Sequence, residues 1–443
     1  MSAPESVSLS QAFWYWLKLG FVSFGGPTGQ IALMHTDLVE RKRWISEQRF
    51  LHALNYCMLL PGPEATQLAI YIGWLMHRTV GGLIAGLLFV LPSLLILILL
   101  SWVYLTLGDV PVVAGVLYGV KPAVVAIVLA AAWRIGSRSL KNRWLIALAV
   151  LAFISIALLH LPFPLIIITA GIAGVLGGRW LPHAFQLGGH APGQMPSYGP
   201  ALIDDQTPPP EHAWFSWRKL ILTTLAGIAM GALVGSALVM TMGLHSPLVQ
   251  MSWFFSKAAL LTFGGAYAVL PYVYQGAVDH FGWLSAVQMV DGLALGETTP
   301  GPLIMVVAFV GFVGGWTREV FGPMALLAGG TAGALVAFFF TFLPSFIFIL
   351  AGAPLVEASR DNLRLTAPLT AITAAVVGVI ASLTVLFAWH VFHLAEPPAR
   401  WDWVAIAIAT LAAIALLRFN VGTLRLILAC AITGLVVSYL PLK

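Results

Sequence analysis

Charged residues are scarce in this 443-residue chain, and their scarcity excludes a soluble globular protein. Only 9% of the residues are charged and 60% are hydrophobic, whereas about 25% of a typical soluble domain is charged. Apolar runs long enough to cross a bilayer, about 17 to 25 residues each, recur from near Gln11 to Tyr439 with one long polar interruption. We therefore predict an all-α polytopic membrane protein that contacts the lipid bilayer and has no soluble catalytic domain.

Other absences narrow the class further. The only cysteines, Cys57 and Cys430, stand in apolar runs, which argues against a disulfide framework or a thiolate metal site. No GxxxxGK[ST] motif is present, so transport driven by ATP on this chain is not expected. The net charge of +5 is spread over loops, which argues against a nucleic-acid partner. No cluster with metal-ligand spacing and no nucleophile with a neighbouring base stands out, so we expect no metal, no cofactor and no catalytic residue.

Glycine and proline interrupt four of the apolar runs. The interruptions are FGGPTGQ at Phe24 to Gln30, LPGPEATQ at Leu60 to Gln67, FGGAYAV at Phe263 to Val269 and TPGPLIM at Thr299 to Met305. A break within the bilayer exposes N–H and C=O groups, which are tolerated only when buried in protein or facing a water-filled cavity. A single break is more often a kink, but four at matched positions favour a functional site.

The breaks recur because the chain repeats itself. A shift of 239 residues aligns the first copy with the second, and a shift of 252 continues the alignment further along. The aligned pairs include Trp14 with Trp253, Lys18 with Lys257, Phe24-Gly25-Gly26 with Phe263-Gly264-Gly265, Pro61-Gly62-Pro63 with Pro300-Gly301-Pro302, and Pro92-Ser93 with Pro344-Ser345. We predict an internal duplication.

The predicted organisation has four parts. Residues 1–180 form the first transport repeat, 181–213 a cytoplasmic loop rich in proline and glycine, 214–245 a linking transmembrane helix, and 246–443 the second repeat. Each repeat contains six apolar segments, so the single crossing between them inverts the second relative to the first.

Loop charge indicates how many segments cross. In the first repeat the broken segments are 11–34 and 46–76. If all thirteen segments span, the loop arginines and lysines divide twelve inside to six outside. If the broken segments are instead re-entrant, giving about nine full spans plus four hairpins, the division becomes fifteen to three, which agrees better with the positive-inside rule. We favour re-entry, in a multi-pass protein of the bacterial inner membrane with a cytoplasmic N-terminus and a periplasmic C-terminus.

The breaks are suited to binding an anion. Proline favours the first position of a helix, so Pro27 and Pro63 predict helix starts whose free N–H groups attract anions. In the second repeat, half-helices that begin after Gly265 and at Pro302 are expected to point in from the opposite face. The candidate substrate-binding residues of the breaks are Gly25, Gly26, Pro27, Thr28, Gly29, Gln30, Asn55, Pro61, Gly62, Pro63, Thr66, Gln67, Gly264, Gly265, Thr298, Thr299, Pro300, Gly301 and Pro302. Among them, Asn55, Thr66, Gln67, Thr298 and Thr299 have the alternative of bonding neighbouring helices.

Three lysines are further substrate-binding candidates. Lys18 and Lys257 each precede a break by seven residues and share its helix face, although snorkelling toward lipid headgroups is an equal alternative. Lys121, in GVKPAVV, lies deeper in its segment and has no lysine counterpart in the second repeat.

Carboxylates within the membrane are costly and therefore functional candidates. Glu64 and Glu297 lie nearest the PGP breaks and are candidates for proton coupling. Glu64 has the alternative of a structural charge at a helix N-terminus. Asp291, aligned with His52, is a weaker candidate.

The motifs FGGPTGQIA, LPGPEATQLAIYIG, GVKPAVVAIV, FGGAYAVLPYV and LGETTPGPL resemble the chromate ion transporter family in its long, two-domain form, over nearly the whole chain. The resemblance implies export of chromate from the bacterial cytoplasm, driven by the membrane potential or a proton gradient, with sulfate as the similar anion. The second copy departs from the first pattern, with Ala266 where Pro27 stands and Leu303 where Glu64 stands, so its half-site is expected to contribute less.

We therefore expect a secondary transporter of a tetrahedral divalent oxyanion, with chromate favoured, in which one repeat moves against the other. A transporter of sulfate or a related oxyanion and an anion channel are the alternatives, and a membrane enzyme ranks well behind them. A homodimer is one oligomeric state compatible with this class.

Overall fold

The structure, a computed structural model, describes residues 4–185, 198–205, 207–208, 210–358, 366–394 and 400–439. Three residues of the loop-charge prediction, Arg360, Arg364 and Lys443, lie outside this part, as do residues 186–197, 206 and 209 of the proline-rich loop. Six helices are long and apolar enough to cross a membrane, and shorter apolar helices accompany them. The prediction of an all-α polytopic membrane protein is confirmed.

Helices form because the apolar runs have no other way to satisfy their backbone groups in a bilayer. Those up to the linking crossing are α1 Leu9–Val22, α2 Gly26–His35, α3 Glu47–Leu59, α4 Glu64–Leu107, α5 Pro111–Ser139, α6 Arg143–Ala157, α7 Phe163–Trp180, α8 Pro182–Phe185 and α9 Trp217–Met242. The remainder are α10 Pro247–Leu261, α11 Ala266–Tyr274, α12 Ala286–Thr298, α13 Val306–Thr317, α14 Leu326–Ala358, α15 Thr366–Phe392, α16 Trp403–Arg418 and α17 Thr423–Ser438. Two short antiparallel strands, β1 His393–Leu394 and β2 Arg400–Trp401, precede α16.

Local structure recurs at the shift of 239. A π-helical turn extends α2 over Thr36–Arg41, and another extends α11 over Gln275–His280. Helices α3 and α12 begin at the same offset, because Ser46 and Ser285 each cap a helix by accepting a hydrogen bond from the backbone N–H three residues later. This correspondence supports the duplication, which remains a prediction.

The broken segments of the first repeat turn back within the molecule. Helix α1 has 14 residues, fewer than the roughly 20 needed to span. At its start, the carbonyl of Val7 lies 2.8 Å from His77 Nε2, and further along the ring of Tyr15 packs 4.9 Å from that of Trp44. The start of α1, the 42–46 turn and the kink of α4 at His77–Arg78 therefore lie on one side, here called the first face. The path agrees with the favoured interpretation of re-entrant hairpins.

The second repeat has the same path. A Cβ on Gly314 would lie 3.0 Å from Trp283, and Arg318 donates a hydrogen bond of 3.0 Å to the carbonyl of Gly282. The 281–285 turn and the turn at Arg318 therefore lie together, on what is here called the second face.

The kink divides α4 into a short arm, residues 64–76, and a long arm, residues 79–107. On the long arm, Gly82 lies beside Leu350 of α14 and Gly86 beside Phe346. From the first contact to the second, the residue number on the long arm rises by four and that on α14 falls by four. The long arm and α14 are therefore antiparallel. The long arm leaves the first face at Arg78, whereas α14 begins beside α13 at the second face. The two faces are therefore opposite, which supports the predicted inversion of the repeats.

Most helices pack in two bundles that each combine both repeats. The central bundle contains α1, α4, α10, α13 and α14, and the flanking bundle contains α5, α6, α7, α15, α16 and α17. In the flanking bundle, α5 packs on α16 and α17, whereas α15 packs on α6 and α7. A Cβ on Gly119 would meet the carbonyl of Cys430, and one on Gly378 would meet that of Ala149. The expectation that one repeat moves as a body against the other does not fit this interlocked packing.

The described part of the proline-rich loop is docked on the first face. Leu202 N donates to Arg43 O at 2.9 Å, and Ser46 N donates to Ile203 O at 3.0 Å. Ser46 also donates from its hydroxyl to Asp205 at 2.5 Å. Helix α9 follows the loop and packs on α10 and α14 with no fully buried side chain, as expected of a single crossing at the edge of the molecule.

Candidate functional site

The four breaks meet as two crossed pairs at the centre of the central bundle. The N–H of Gly62, in the first repeat, donates to the carbonyl of Thr262 in the second at 2.8 Å. The N–H of Gly301, in the second repeat, donates to the carbonyl of Ser23 in the first, also at 2.8 Å. The donors are 239 residues apart, and so are the acceptors. Neither PGP break is complete without the other repeat.

The crossed contacts leave no room for side chains at the two glycines. Gly62 has φ +126° and Gly301 has φ +99°, conformations that favour glycine. A Cβ on Gly62 would lie 2.5 Å from Ser345 Oγ, and one on Gly301 would lie 2.9 Å from Ser93 Cβ. Both glycines are required by backbone conformation and by close packing.

Helices start after all four breaks, as predicted. Helix α2 begins at Gly26 with Pro27 in its first turn, and α4 begins directly after Pro63. Helix α11 follows Gly265. A 3₁₀ turn, Leu303–Met305, follows Pro302 and leads into α13.

Capping differs among the helix starts of the molecule. Serine side chains cap some of them, as at Ser8 for α1 and Ser46 for α3, whereas others outside the breaks, such as those of α5 and α10, have no side-chain cap. Within the part of the chain that the structure describes, α2, α4 and α11 have no side-chain cap. The first N–H groups of these helices are therefore available to a ligand, with the positive end of the helix dipole behind them.

The two glutamines satisfy carbonyls that the breaks expose. Gln30 Nε2 donates to Ser23 O at 3.3 Å, and Gln67 Nε2 donates to Pro61 O at 2.8 Å. Among the described residues, the buried hydroxyls of Ser23 and Thr66 have no hydrogen-bond partner. A hydroxyl can donate to an anion, so these two groups are better placed as ligands than the glutamine amides.

Sequence reasoning missed Ser23 and two other serines. Ser93 Oγ lies 3.4 Å from Thr299 Oγ1, and Ser345 Oγ lies 3.4 Å from Gln67 Nε2. Each serine is buried and belongs to a long helix of one repeat against the PGP break of the other. The aligned Pro-Ser pairs contained the signal, because a polar residue recurring mid-helix in both repeats needs a partner. Thr298 and Thr299 instead donate to carbonyls of α12, which favours the structural alternative for them.

The lysine candidates lie in different settings. Lys18 and Lys257 are both exposed, and Lys257 lies over the ring of Trp253 at 5.6 Å, so the snorkelling alternative suits them. Lys121 forms an ion pair, because its Nζ lies 3.4 Å from Asp291 Oδ2. Asp291, a weak candidate from the sequence, therefore has a charged partner contributed by the other repeat.

The two glutamates differ in their surroundings. Glu64 is half-buried in the first turn of α4, beside the free N–H groups. Glu297 accepts a hydrogen bond from the hydroxyl of Tyr267, which joins the two breaks of the second repeat. The first repeat has Thr28 and Met58 at the corresponding positions and cannot form this bond. The first-repeat breaks thus retain more free groups than the second-repeat breaks.

Exposure separates the two halves in the same way. Gly25, Thr28 and Asn55 are exposed, whereas at the matched positions of the second repeat Gly264 and Tyr267 are half-buried and Ala294 is buried. A solute that reaches the centre of the molecule in this conformation would meet the first-repeat breaks.

Comparison with known proteins identifies the family. A sequence model described as "Chromate transporter" matches residues 10–175 and again 249–435. The starts of the two matched stretches are 239 residues apart, the same shift that aligns the breaks. No solved structure matches this chain.

Three relatives named as chromate transport proteins, one of them as probable, match most of the chain. A chromate transport protein of Pseudomonas aeruginosa is 33% identical over 392 residues, which are 87% of this chain and 82% of the relative. A chromate transport protein of Cupriavidus metallidurans is 31% identical over 87% of this chain and 84% of its own length. A probable chromate transport protein of Synechococcus elongatus is 30% identical over 87% and 86%. This chain therefore belongs to the chromate transporter family and is a transporter rather than an enzyme.

Proposed function

We propose that this protein is a secondary active transporter that exports chromate across the bacterial inner membrane, driven by the membrane potential or a proton gradient. The observation that carries the proposal is the crossed pairing of the breaks, which holds uncapped helix starts from both repeats, α2 and α4 from the first and α11 from the second, at the centre of a membrane protein. Family membership and the names of the relatives support chromate as the anion.

The first-repeat breaks are the proposed binding site. Helices α2 and α4 pack against each other, and neither start has a side-chain cap. A tetrahedral oxyanion has several acceptor oxygens, which match the N–H groups of two helix starts and the free hydroxyls of Ser23 and Thr66. Positive helix ends and neutral donors suit an anion and do not suit a cation.

Glu64 is the proposed link to protons. Its carboxylate shares the first turn of α4 with the N–H groups that would bind the anion. An ionised Glu64 and a divalent anion bound at these N–H groups would repel each other, so the anion binds better when Glu64 is protonated. Proton and anion would then leave the cell together with a net negative charge, so this coupling fits export driven by the membrane potential and does not fit export driven by an inward proton gradient.

Transport assays test the substrate and the class. In inside-out membrane vesicles we expect uptake of chromate that depends on the proton gradient or the membrane potential and exceeds uptake of sulfate at equal concentration. Uptake of sulfate without chromate would favour the alternative of a sulfate transporter. A reversal potential fixed by the anion gradient alone would establish an anion channel and contradict the proposal.

A further inference from the structure

Matched positions in the two repeats differ in exposure. Asn55 is exposed, whereas Ala294, 239 residues later, is buried. Thr28 is exposed and its counterpart Tyr267 is half-buried. We call residues 26–59 the first inner segment and residues 265–298 the second inner segment. The first inner segment is open to its surroundings and the second is closed.

The flanking bundle accounts for the difference. Helices α2 and α3 of the first inner segment pack mainly on α4, in the central bundle. Helices α11 and α12 of the second inner segment pack in addition on α5 and α15, in the flanking bundle. Gln275, at the end of α11, also donates to Leu161 O at 3.1 Å and accepts from Phe163 N at 3.0 Å. The second inner segment is therefore held between the two bundles.

One ion pair crosses this contact. Lys121, on α5 of the flanking bundle, lies 3.4 Å from Asp291 on α12, and Tyr104 of α4 donates to the same carboxylate oxygen at 2.9 Å. The Asp291 side chain is only 2% exposed, whereas that of Lys121 is 27% exposed. A carboxylate buried this deeply is strongly destabilised when its cation is removed.

The first repeat cannot make the same pair. His52 stands at the position of Asp291, and Thr373 stands at the position of Lys121 under the shift of 252. His52 contacts a carbonyl of α14, inside the central bundle. The second inner segment can therefore form an ion pair with the flanking bundle. The residues at the matched positions of the first inner segment cannot.

We propose that Lys121 and Asp291 are gating residues of the transport cycle, whose ion pair holds the second inner segment closed against the flanking bundle while the first inner segment is open. The inference builds on the transport function proposed above. Opening toward the second face requires the pair to separate as α12 and the flanking bundle move apart. Lys121, predicted from the sequence as a substrate ligand, is thereby assigned to the gate.

Thiol labelling tests the gate without any substrate. In a background with Cys57 and Cys430 replaced by alanine, Asn55→Cys and Ala294→Cys are made separately, and the purified protein in lipid nanodiscs is treated with a water-soluble maleimide. If the gate is closed, the cysteine of Ala294→Cys is accessible only in a minor conformation with a population of about 10% or less. We therefore expect this cysteine to be labelled at least about tenfold more slowly than that of Asn55→Cys. Equal rates at the two positions would overturn the assignment of open and closed sides.

Removing the ion pair should open the closed side. Lys121→Gln and Asp291→Asn, each combined with Ala294→Cys, should raise the labelling rate severalfold, and the exchanged pair Lys121→Asp with Asp291→Lys should restore slow labelling. Tyr118→Phe is the matched control, because Tyr118 lies on the same helix but bonds Asp402 within the flanking bundle, and it should leave the rate unchanged. Tyr104→Phe, a milder change, addresses the same gate if a charge variant does not fold.

The outcomes separate this inference from the proposed function. An unchanged labelling rate in Lys121→Gln, Asp291→Asn and Tyr104→Phe would overturn the gate even if chromate is transported. A gate that opens as expected in a protein that carries no chromate would contradict the proposed substrate alone.

Discussion

At the scale of single residues, the site depends on groups that are small or neutral rather than charged. Gly62 and Gly301 allow the two repeats to exchange backbone hydrogen bonds, and Ser93 and Ser345 fill the remaining space beside them. The lysines nearest the breaks in sequence lie on exposed surfaces instead. Anion attraction at the centre is therefore expected from backbone N–H groups and hydroxyls.

Gly62→Ala tests the crossed breaks. The new Cβ would clash with Ser345 and occupy a disfavoured φ, a strain of about 1 to 3 kcal/mol, so we expect chromate uptake to fall by about tenfold or more with protein still in the membrane. Gly171→Ala is the control, because a Cβ there would make ordinary contacts at 3.5 Å or more. Normal uptake by the Gly62 variant would refute the broken-helix site.

Glu64→Gln tests proton coupling. The amide cannot ionise, so the variant should transport chromate with a flatter dependence on pH than the parent. The two proteins should differ most at high pH, where Glu64 of the parent is ionised, and least at low pH. Glu297→Gln serves as a comparison, because Glu297 is engaged by Tyr267. A pH profile of the Glu64 variant that matches the parent would assign Glu64 a structural role at the helix start.

At the scale of elements, the loop before α9 is tied to the membrane part by side chains as well as backbone. His212 Nε2 lies 3.0 Å from the carbonyl of Trp74, to which the neutral ring can donate. Burial lowers the pKa of His212, and the charges of Arg78 and Lys219 add to the effect. The docked loop therefore favours neutral His212.

The docking should weaken in acid. Because the pKa of His212 is lower when docked than its ordinary value of 6.5, the contribution of His212 to docking is full above about pH 6.5 and is lost as the pH falls through the lowered pKa. Hydrogen exchange of residues 211–213, corrected for intrinsic rates, should be faster at pH 5.5 than at pH 8. In His212→Gln the difference should disappear, and a parent protein without any pH difference would contradict the assignment.

At the scale of the whole molecule, the packing leads us to expect that the two bundles, each built from both repeats, move against each other. A disulfide inside one bundle should therefore be compatible with transport even when it joins the two repeats. Gly115 of α5 and Ser438 of α17 suit this test, since a Cβ on Gly115 would lie 3.1 Å from that of Ser438, close to the separation of about 3.5 to 4.5 Å in disulfides.

The cross-link distinguishes the two kinds of movement. Gly115→Cys with Ser438→Cys, oxidised in the cysteine-free background, should retain most of the chromate uptake. Loss of uptake in the oxidised α5–α17 pair would instead indicate that one repeat moves against the other.

Much of the fold could be predicted from the sequence, because its constraints are local. A bilayer forces apolar runs into helices, and glycine and proline limit where they can begin and end, so the starts predicted at Pro27, at Pro63 and after Gly265 lie within a residue of those observed. The hydrogen-bond partners at the breaks were harder to predict, since the roles of Ser93 and Ser345 depend on contacts between residues more than 200 positions apart.

The sequence by itself determined that this is an α-helical membrane protein with four paired breaks, since composition and residue type decide both. The loop charges favoured broken segments that turn back, and the path of the chain agrees with this. Only the tertiary structure decided that breaks of opposite repeats bond each other and that the repeats interlock in two bundles. It also paired Lys121 with Asp291. These features depend on which surfaces pack together, and apolar helices of similar composition carry little information about their partners in the sequence.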